Sequence, residues 1–177
     1  MKSLCASASL ALAAWLPAST VLAEASQVTA SGFVSTFREE VRATPEKVWK
    51  TIVQLPSWWD GRHTYSGQAS NLRLEPRAGG CFCETWGDGN SVDHARVLLV
   101  QSGRVLRMQG AFGPLQDMAV QGVLTIVTSA QEGKTFLRMT YRVNGSAESG
   151  LDKMAKVVDE VLGVQYGRLK AAAEAEN

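Results

Sequence analysis

Apolar and polar positions alternate with a period of two in the segment that begins at Gly32. One side of this segment carries Phe33, Ser35, Phe37 and Val41, and the other carries Thr36, Arg38, Glu40 and Arg42. Such alternation predicts a half-buried strand. Thr44-Pro45 then supplies a helix N-cap with proline at the first helical position, which predicts a short helix ending near Leu55-Pro56.

Turn signals rich in glycine divide the middle of the chain into short segments. Strands are predicted near 71–74, 80–86, 91–100, 104–109, 118–128 and 134–143, and the first strand brings the total to seven. Because hairpin-length loops join successive segments, an antiparallel meander is expected. After Ser149 the apolar spacing changes to 3.6 residues, which predicts a long amphipathic helix over residues 150–173. This helix can cover the apolar face of the sheet and leave a pocket near one end.

The first 25 residues have the layout of a secretory signal peptide. A basic start at Lys2 precedes an uncharged run and a small-residue cleavage site, Val21-x-Ala23 or Ala23-x-Ala25. The apolar run is short for a membrane span, which needs about 20 residues. We therefore predict a cleaved signal over residues 1–25, a single exported domain over residues 26–177, periplasmic or secreted, and no stable membrane insertion after cleavage.

Composition narrows the partners of this domain. The chain has 177 residues, a formal net charge of +1 and 45% hydrophobic residues. These values are typical of a folded globular domain. Without a basic stripe or an acidic tail, nucleic acid is not expected as a partner.

Several motifs, in this order, resemble the START-like or SRPBCC superfamily of helix-grip proteins. They are Val41-Arg42-Ala43-Thr44-Pro45-Glu46-Lys47-Val48-Trp49, Leu55-Pro56-Ser57-Trp58-Trp59, Gly79-Gly80-Cys81-Phe82-Cys83-Glu84 and Gly110-Ala111-Phe112-Gly113-Pro114-Leu115. The resemblance covers Phe33 to Leu169 and is strongest to the bacterial group that is similar to activators of the heat-shock protein 90 ATPase. It implies an α+β helix-grip fold, with a curved seven-stranded antiparallel sheet wrapped around the C-terminal helix and short helices between strands 1 and 2.

Aromatic side chains are the most distinctive candidates for a site. Eight residues are expected to shape a cavity for a small apolar or aromatic molecule: Trp58, Trp59, His63, Tyr65, Trp86, Phe112, Met139 and Tyr141. The alternative is that these residues fill the open end of the sheet as ordinary core.

Glu84 and His94 flank the turn at 87–90 and form the best candidate acid–base pair. They face each other directly if Gly87 pairs with Ser91. With a two-residue Asp88-Gly89 turn, His94 instead faces Cys83. The alternative role is a structural or ligand-orienting hydrogen bond.

Cys81 and Cys83 are spaced as C-x-C. In a regular strand their Cα atoms lie roughly 7 Å apart, at or beyond the usual reach of a disulfide, so two small buried hydrophobic side chains are expected. A soft-metal site with His94, and with His63 as a fourth ligand, is a weaker alternative. Nucleophile-elbow, phosphate-loop and dinucleotide motifs are absent from the sequence, and no metal or cofactor is expected.

Three functions follow from these observations. The first is an exported carrier or sensor that binds a hydrophobic, aromatic or lipid-like ligand between the sheet and the last helix. The second is a cyclase, dehydratase or isomerase of the polyketide type that uses Glu84 and His94. The third is a protein-interaction domain of the cochaperone kind.

Overall fold

The computed structural model describes residues 25–175. The predicted signal peptide therefore lies outside the described residues, apart from Ala25. None of the helices in the described part of the chain is long and apolar enough to cross a membrane.

Within residues 25–175, eight strands form one antiparallel sheet. Their bounds are β1 Ser26–Thr29, β2 Gly32–Val41, β3 Leu72–Leu74, β4 Cys81–Trp86, β5 Asn90–Gln101, β6 Val105–Gln109, β7 Gln121–Gln131 and β8 Lys134–Asn144. The strand order is β1-β2-β8-β7-β6-β5-β4-β3. The predicted antiparallel meander is thus confirmed from β3 to β8, and β2 closes onto β8 by a long-range pairing.

In the described part of the chain, two α-helices accompany the sheet, α1 over Pro45–Val53 and α2 over Leu151–Glu174. The Thr44 hydroxyl accepts a hydrogen bond from the amide of Lys47 at 3.3 Å, as the predicted N-cap requires. Short 3-10 segments at Leu55–Ser57, Gly61–His63 and Ala69–Asn71 lead from α1 to β3. The predicted short helices between the first long strand and the meander are therefore present.

Helix α2 is fixed to the sheet by aromatic and polar contacts. Tyr166 stacks on Phe37 with ring centroids 5.4 Å apart, and its hydroxyl donates to the Leu137 carbonyl at 2.9 Å. Near the end of the helix, Arg168 Nε donates to the Trp58 carbonyl at 2.8 Å. These contacts hold the helix across the sheet, where its buried apolar residues join the core.

The strand count differs from the seven predicted because the sequence pattern misses β1. All four residues of this strand are exposed, and Gln27 has a φ of +54°, so no apolar alternation marks the segment. The predicted segment 118–128 also starts too early. Gly113–Met118 forms a 3-10 helix with proline in its first turn, and β7 begins only at Gln121.

Candidate functional site

An open cavity of about 460 Å³ lies between α2 and the loops that follow α1 and β6. Ligand-binding cavities typically have volumes of about 300–1,000 Å³. One face of α2 contributes Met154, Val157, Val158, Val161 and Leu162. The loop after α1 contributes Trp59, Arg62, His63, Thr64 and Tyr65, and the loop after β6 contributes Phe112, Gly113, Pro114 and Asp117. His94 on β5 completes the lining.

Aromatic rings pack against one another at the base of the cavity. Trp59 meets Phe82 edge-on, with centroids 5.1 Å apart, and Phe82 lies 4.8 Å from the ring of His94. Phe112 lies 5.9 Å from Phe82 and 6.2 Å from Trp59. Since Phe82 is fully buried, it supports the lining rings from behind. The base of the cavity is therefore a packed aromatic layer that carries one imidazole.

Tyr141 holds the start of the loop that carries Phe112. Its hydroxyl donates to the Gly110 carbonyl at 2.9 Å and accepts from the Phe112 amide at 3.3 Å. Burial raises the pKa of Tyr141, so the phenol remains a neutral donor. A Cβ at Gly122 would lie 2.2 Å from this hydroxyl, and only glycine leaves the space that it occupies.

A β-bulge places His94. Trp86 pairs with Asn90 around a three-residue loop, so the hairpin takes neither of the two registers considered from the sequence. Cys83 pairs with Asp93, but Phe82 pairs with Ala95, which leaves His94 as the extra residue on β5. Both His94 and Ala95 are consequently buried.

His94 and Glu84 meet in spite of this register. His94 Nε2 lies 3.0 Å from Glu84 Oε2, and the side chains are 6% and 0% exposed. The same carboxylate accepts the amide of Tyr65 at 3.0 Å and the amide of Ser66 at 2.7 Å. Glu84 therefore ties the loop that carries Thr64 and Tyr65 to the sheet, in addition to holding the imidazole.

Protonation in the pair follows from burial and hydrogen bonding. Burial alone would raise the pKa of Glu84, but hydrogen bonds from Ser66, Tyr65 and His94 outweigh it and lower that pKa. Burial also lowers the pKa of His94, and the nearby carboxylate offsets this only in part. Near neutral pH the pair is thus a carboxylate and a neutral imidazole that donates from Nε2.

His63 is oriented by a glutamine on α2. Gln165 Oε1 accepts the amide of Asp60 at 2.7 Å, and Gln165 Nε2 lies 2.7 Å from His63 Nδ1. Because a backbone amide can only donate, the glutamine oxygen must face Asp60 and its amino group must face His63. His63 Nδ1 is then an acceptor, and the proton of the neutral ring resides on Nε2.

The structure separates the eight predicted lining residues into two groups. Trp59, His63, Tyr65 and Phe112 line the cavity. Trp58, Met139 and Tyr141 are core residues that are at most 1% exposed, and Trp86 lies half-buried on the β4–β5 hairpin. Trp58 turns inward because its Nε1 donates to the Ile52 carbonyl at 3.3 Å. The alternative role of ordinary core residues therefore applies to Trp58, Met139 and Tyr141.

Cys81 and Cys83 form a disulfide, which corrects the expectation of two small buried hydrophobic side chains at these positions. Their Cα atoms are 5.4 Å apart rather than roughly 7 Å, which lies within the usual range of a disulfide. The bonded sulfurs are unavailable to the alternative metal site. Within residues 25–175, no three His, Cys, Asp or Glu side chains gather as a possible metal site.

No protein-family model matches the sequence, and no curated protein matches it significantly. Solved structures do match. Protein Ms6760 from Mycobacterium smegmatis has a TM-score of 0.57 at 16% identity, covering 87% of this chain and 98% of its own. The Aha1 dimer from Colwellia psychrerythraea has a TM-score of 0.50 at 19% identity, covering 80% and 96%. DynU16, a putative protein in the dynemicin biosynthetic locus, has a TM-score of 0.55 at 16% identity, covering 80% of this chain and 47% of its own.

The chain has the helix-grip fold. At these identities the comparisons establish architecture alone, and they confirm the fold that the motifs at 41–49 and 79–84 imply.

Several residues that line or support the cavity were not predicted from the sequence. Gln165 is polar among the apolar positions of α2, and this departure from the pattern marks it as a residue with a specific partner. Val157 is 52% exposed although Met154 and Val161, at helical spacing from it, are apolar. The apolar face of α2 is wider than the sheet can cover, and this width is the signal that could have predicted the part of the cavity lined by α2. Asp117 and Arg62 carry no such signal.

Proposed function

We propose that this protein binds a small, largely apolar molecule in the cavity between α2 and the loops after α1 and β6. The observation that carries the proposal is the open volume of about 460 Å³, walled by valine, leucine and aromatic side chains and carrying two oriented imidazoles. Mostly apolar lining with a few placed polar groups is typical of ligand sites. The open volume also favours ligand binding over a protein-interaction role, which predicts a filled interior.

The first experiment is native mass spectrometry of the purified protein, which detects a co-purifying molecule. Titration with N-phenylnaphthylamine, an uncharged fluorescent probe, then measures affinity for an apolar ring system. We expect binding of one probe per chain and a change in the emission of Trp59, which lines the cavity. Absence of both a co-purifying molecule and probe binding would overturn the proposal.

A matched pair of variants on α2 locates the site. Val161→Phe places a larger side chain in the cavity, whereas Val164→Phe changes an exposed residue outside the lining on the same helix. We expect Val161→Phe to weaken probe binding at least about tenfold by occupying the volume, and Val164→Phe to leave it unchanged. Equal effects of the two variants would place the probe elsewhere.

Catalysis is a second candidate function, favoured by the 3.0 Å contact between His94 and Glu84 at the cavity. His94 Nδ1 would accept a proton from a bound ligand, and the Glu84 carboxylate would stabilise the imidazolium. Incubation with aromatic polyketide substrates tests this. Conversion that His94→Phe abolishes would support an enzyme of the cyclase or dehydratase type, and stoichiometric retention without conversion would overturn it.

We further propose that the domain is exported and functions in an oxidising compartment. The signal-like layout of residues 1–25 and the Cys81–Cys83 disulfide both favour this location. N-terminal sequencing of the protein from fractionated cells tests it, with Glu24 or Ser26 as the expected first residue. An intact N-terminus in the cytoplasmic fraction would contradict it.

A further inference from the structure

We infer that the cavity selects an uncharged ligand with a hydroxyl group, whose O–H donates to His94 and whose oxygen atoms accept from His63, and that it discriminates against carboxylates. This inference rests on the proposed ligand-binding function and specifies the chemical class of the ligand.

His94 presents an acceptor. Glu84 receives two backbone amides, which stabilise its ionised form, so the Nε2 of His94 donates to a carboxylate. Nδ1 of the neutral ring therefore carries a lone pair, and no side-chain or backbone donor within residues 25–175 is bonded to it. Within residues 25–175, the enclosed side-chain oxygen atoms without a partner belong to Ser35, Thr128 and Asp159, so Nδ1 of the cavity-lining His94 is not an enclosed atom.

His63 presents a donor. The chain of bonds from the Asp60 amide through Gln165 makes His63 Nδ1 an acceptor, which leaves the N–H on Nε2. No hydrogen bond within the described part of the chain uses this N–H. The cavity thus offers one acceptor and one donor, and a hydroxyl or hydroxy-carbonyl compound satisfies both.

The charges around the cavity disfavour an anion. Arg62 is the one lysine or arginine among the described lining residues, and its guanidinium is held by both oxygens of Asp60 at 2.6–3.2 Å. A carboxylate ligand would meet the lone pair of His94 and, behind it, the ionised Glu84. Asp117 adds a further acid at the lining. No unpaired cation within the described lining compensates a buried anionic headgroup.

Three probes of one size test the inference by isothermal titration near neutral pH. Naphthol offers both donor and acceptor, methoxynaphthalene keeps the acceptor without the donor, and naphthoate replaces the hydroxyl with a carboxylate. We expect naphthol to bind about tenfold more tightly than methoxynaphthalene, the value of one hydrogen bond in a protected site, and naphthoate to bind most weakly. This comparison uses the unaltered protein and does not depend on the folding of a variant.

Variants then assign the two contacts. His94→Phe is expected to abolish the preference for naphthol over methoxynaphthalene, whereas His63→Phe should weaken both probes by a similar factor and keep the preference. The matched control is Val158→Ala, which removes apolar lining and should lower the affinity for all three probes by a common factor.

The outcomes separate this inference from the proposed function. Equal binding of all three probes, or tighter binding of naphthoate, would overturn the selectivity and leave the ligand-binding function in place. Failure of every probe, together with the absence of a co-purifying molecule, would overturn both.

Discussion

Replacing Glu84 by glutamine tests whether this carboxylate organises the site. The side chain is fully buried and accepts three hydrogen bonds, from the amides of Tyr65 and Ser66 and from His94 Nε2. Glu84→Gln preserves shape but converts one acceptor oxygen into an amino group, which meets an N–H donor whichever way the amide turns. At least one of the three donors therefore loses its partner in a buried position.

The expected cost is about 2–4 kcal/mol in the free energy of unfolding. A buried donor left without a partner costs about 1–3 kcal/mol, and hydrogen bonds to a charged acceptor are worth about 1 kcal/mol more than those to a neutral one. For a domain of this size, 1 kcal/mol corresponds to about 2–4 °C in Tm, so the melting temperature should fall by about 5–15 °C. Urea denaturation followed by circular dichroism measures the difference.

The dependence on pH supplies a second measurement. Because the folded-state pKa of Glu84 lies below its ordinary value of 4.5, its contribution to stability is present above that pH and is lost as the pH falls further. The pKa of His94 is also lowered, so wild-type stability should begin to decline below about 6.5. As the pH falls below 4.5, the Glu84→Gln variant should lose less stability than the wild type does, because glutamine does not titrate.

The control for this variant is Asp88→Asn, which changes an exposed acid in the turn of the same hairpin. It should alter stability by less than about 0.5 kcal/mol. The reasoning would be refuted if the Glu84→Gln protein were as stable as the Asp88→Asn control and lost as much stability below pH 4.5 as the wild type does.

Three further predictions concern other parts of the molecule. Replacing Cys81 and Cys83 together by serine should lower the free energy of unfolding by only about 1–2 kcal/mol, because the disulfide closes a loop of three residues. Urea denaturation measures this difference. Thiol titration should detect the two cysteines only after reduction. Gly122→Ala should destabilise the protein by about 1–3 kcal/mol, because its Cβ clashes with the Tyr141 hydroxyl. Gly167→Ala has open space at its Cβ and should stabilise α2 by up to about 1 kcal/mol. The melting temperatures of the two variants should therefore shift in opposite directions. Tyr141→Phe should lower the Tm and weaken ligand binding, because the loop after β6 loses two hydrogen bonds; melting and probe titration measure the two effects.

Much of the fold is encoded in local patterns. The period-two alternation of β2, the Thr44-Pro45 cap and the 3.6-residue spacing of α2 each require only neighbouring residues, and each predicts its element to within a few positions. The exposed strand β1 leaves no such pattern, because its four residues contribute nothing to the core.

The site depends on features that local patterns do not contain. The register of the β4–β5 hairpin is set by a bulge, and a shift of one residue decides which side chains share a face. The Cα atoms of Cys81 and Cys83 lie 5.4 Å apart, closer than the spacing of a regular strand, and the residue types do not encode this departure. Trp58 and Trp59 are adjacent and chemically identical, yet one fills the core and the other lines the cavity, because the 3-10 turn that precedes them is shaped by tertiary packing.

The strand order has a consequence for self-association. Its two outermost members, β1 and β3, are only four and three residues long, and β1 is further interrupted by an irregular register and the left-handed backbone of Gln27. Unpaired amides and carbonyls along a long flat edge would provide a template on which foreign strands add and aggregation begins. Here the long central strands are bordered on both sides by short edge strands, one of them irregular, which protects the sheet against such growth.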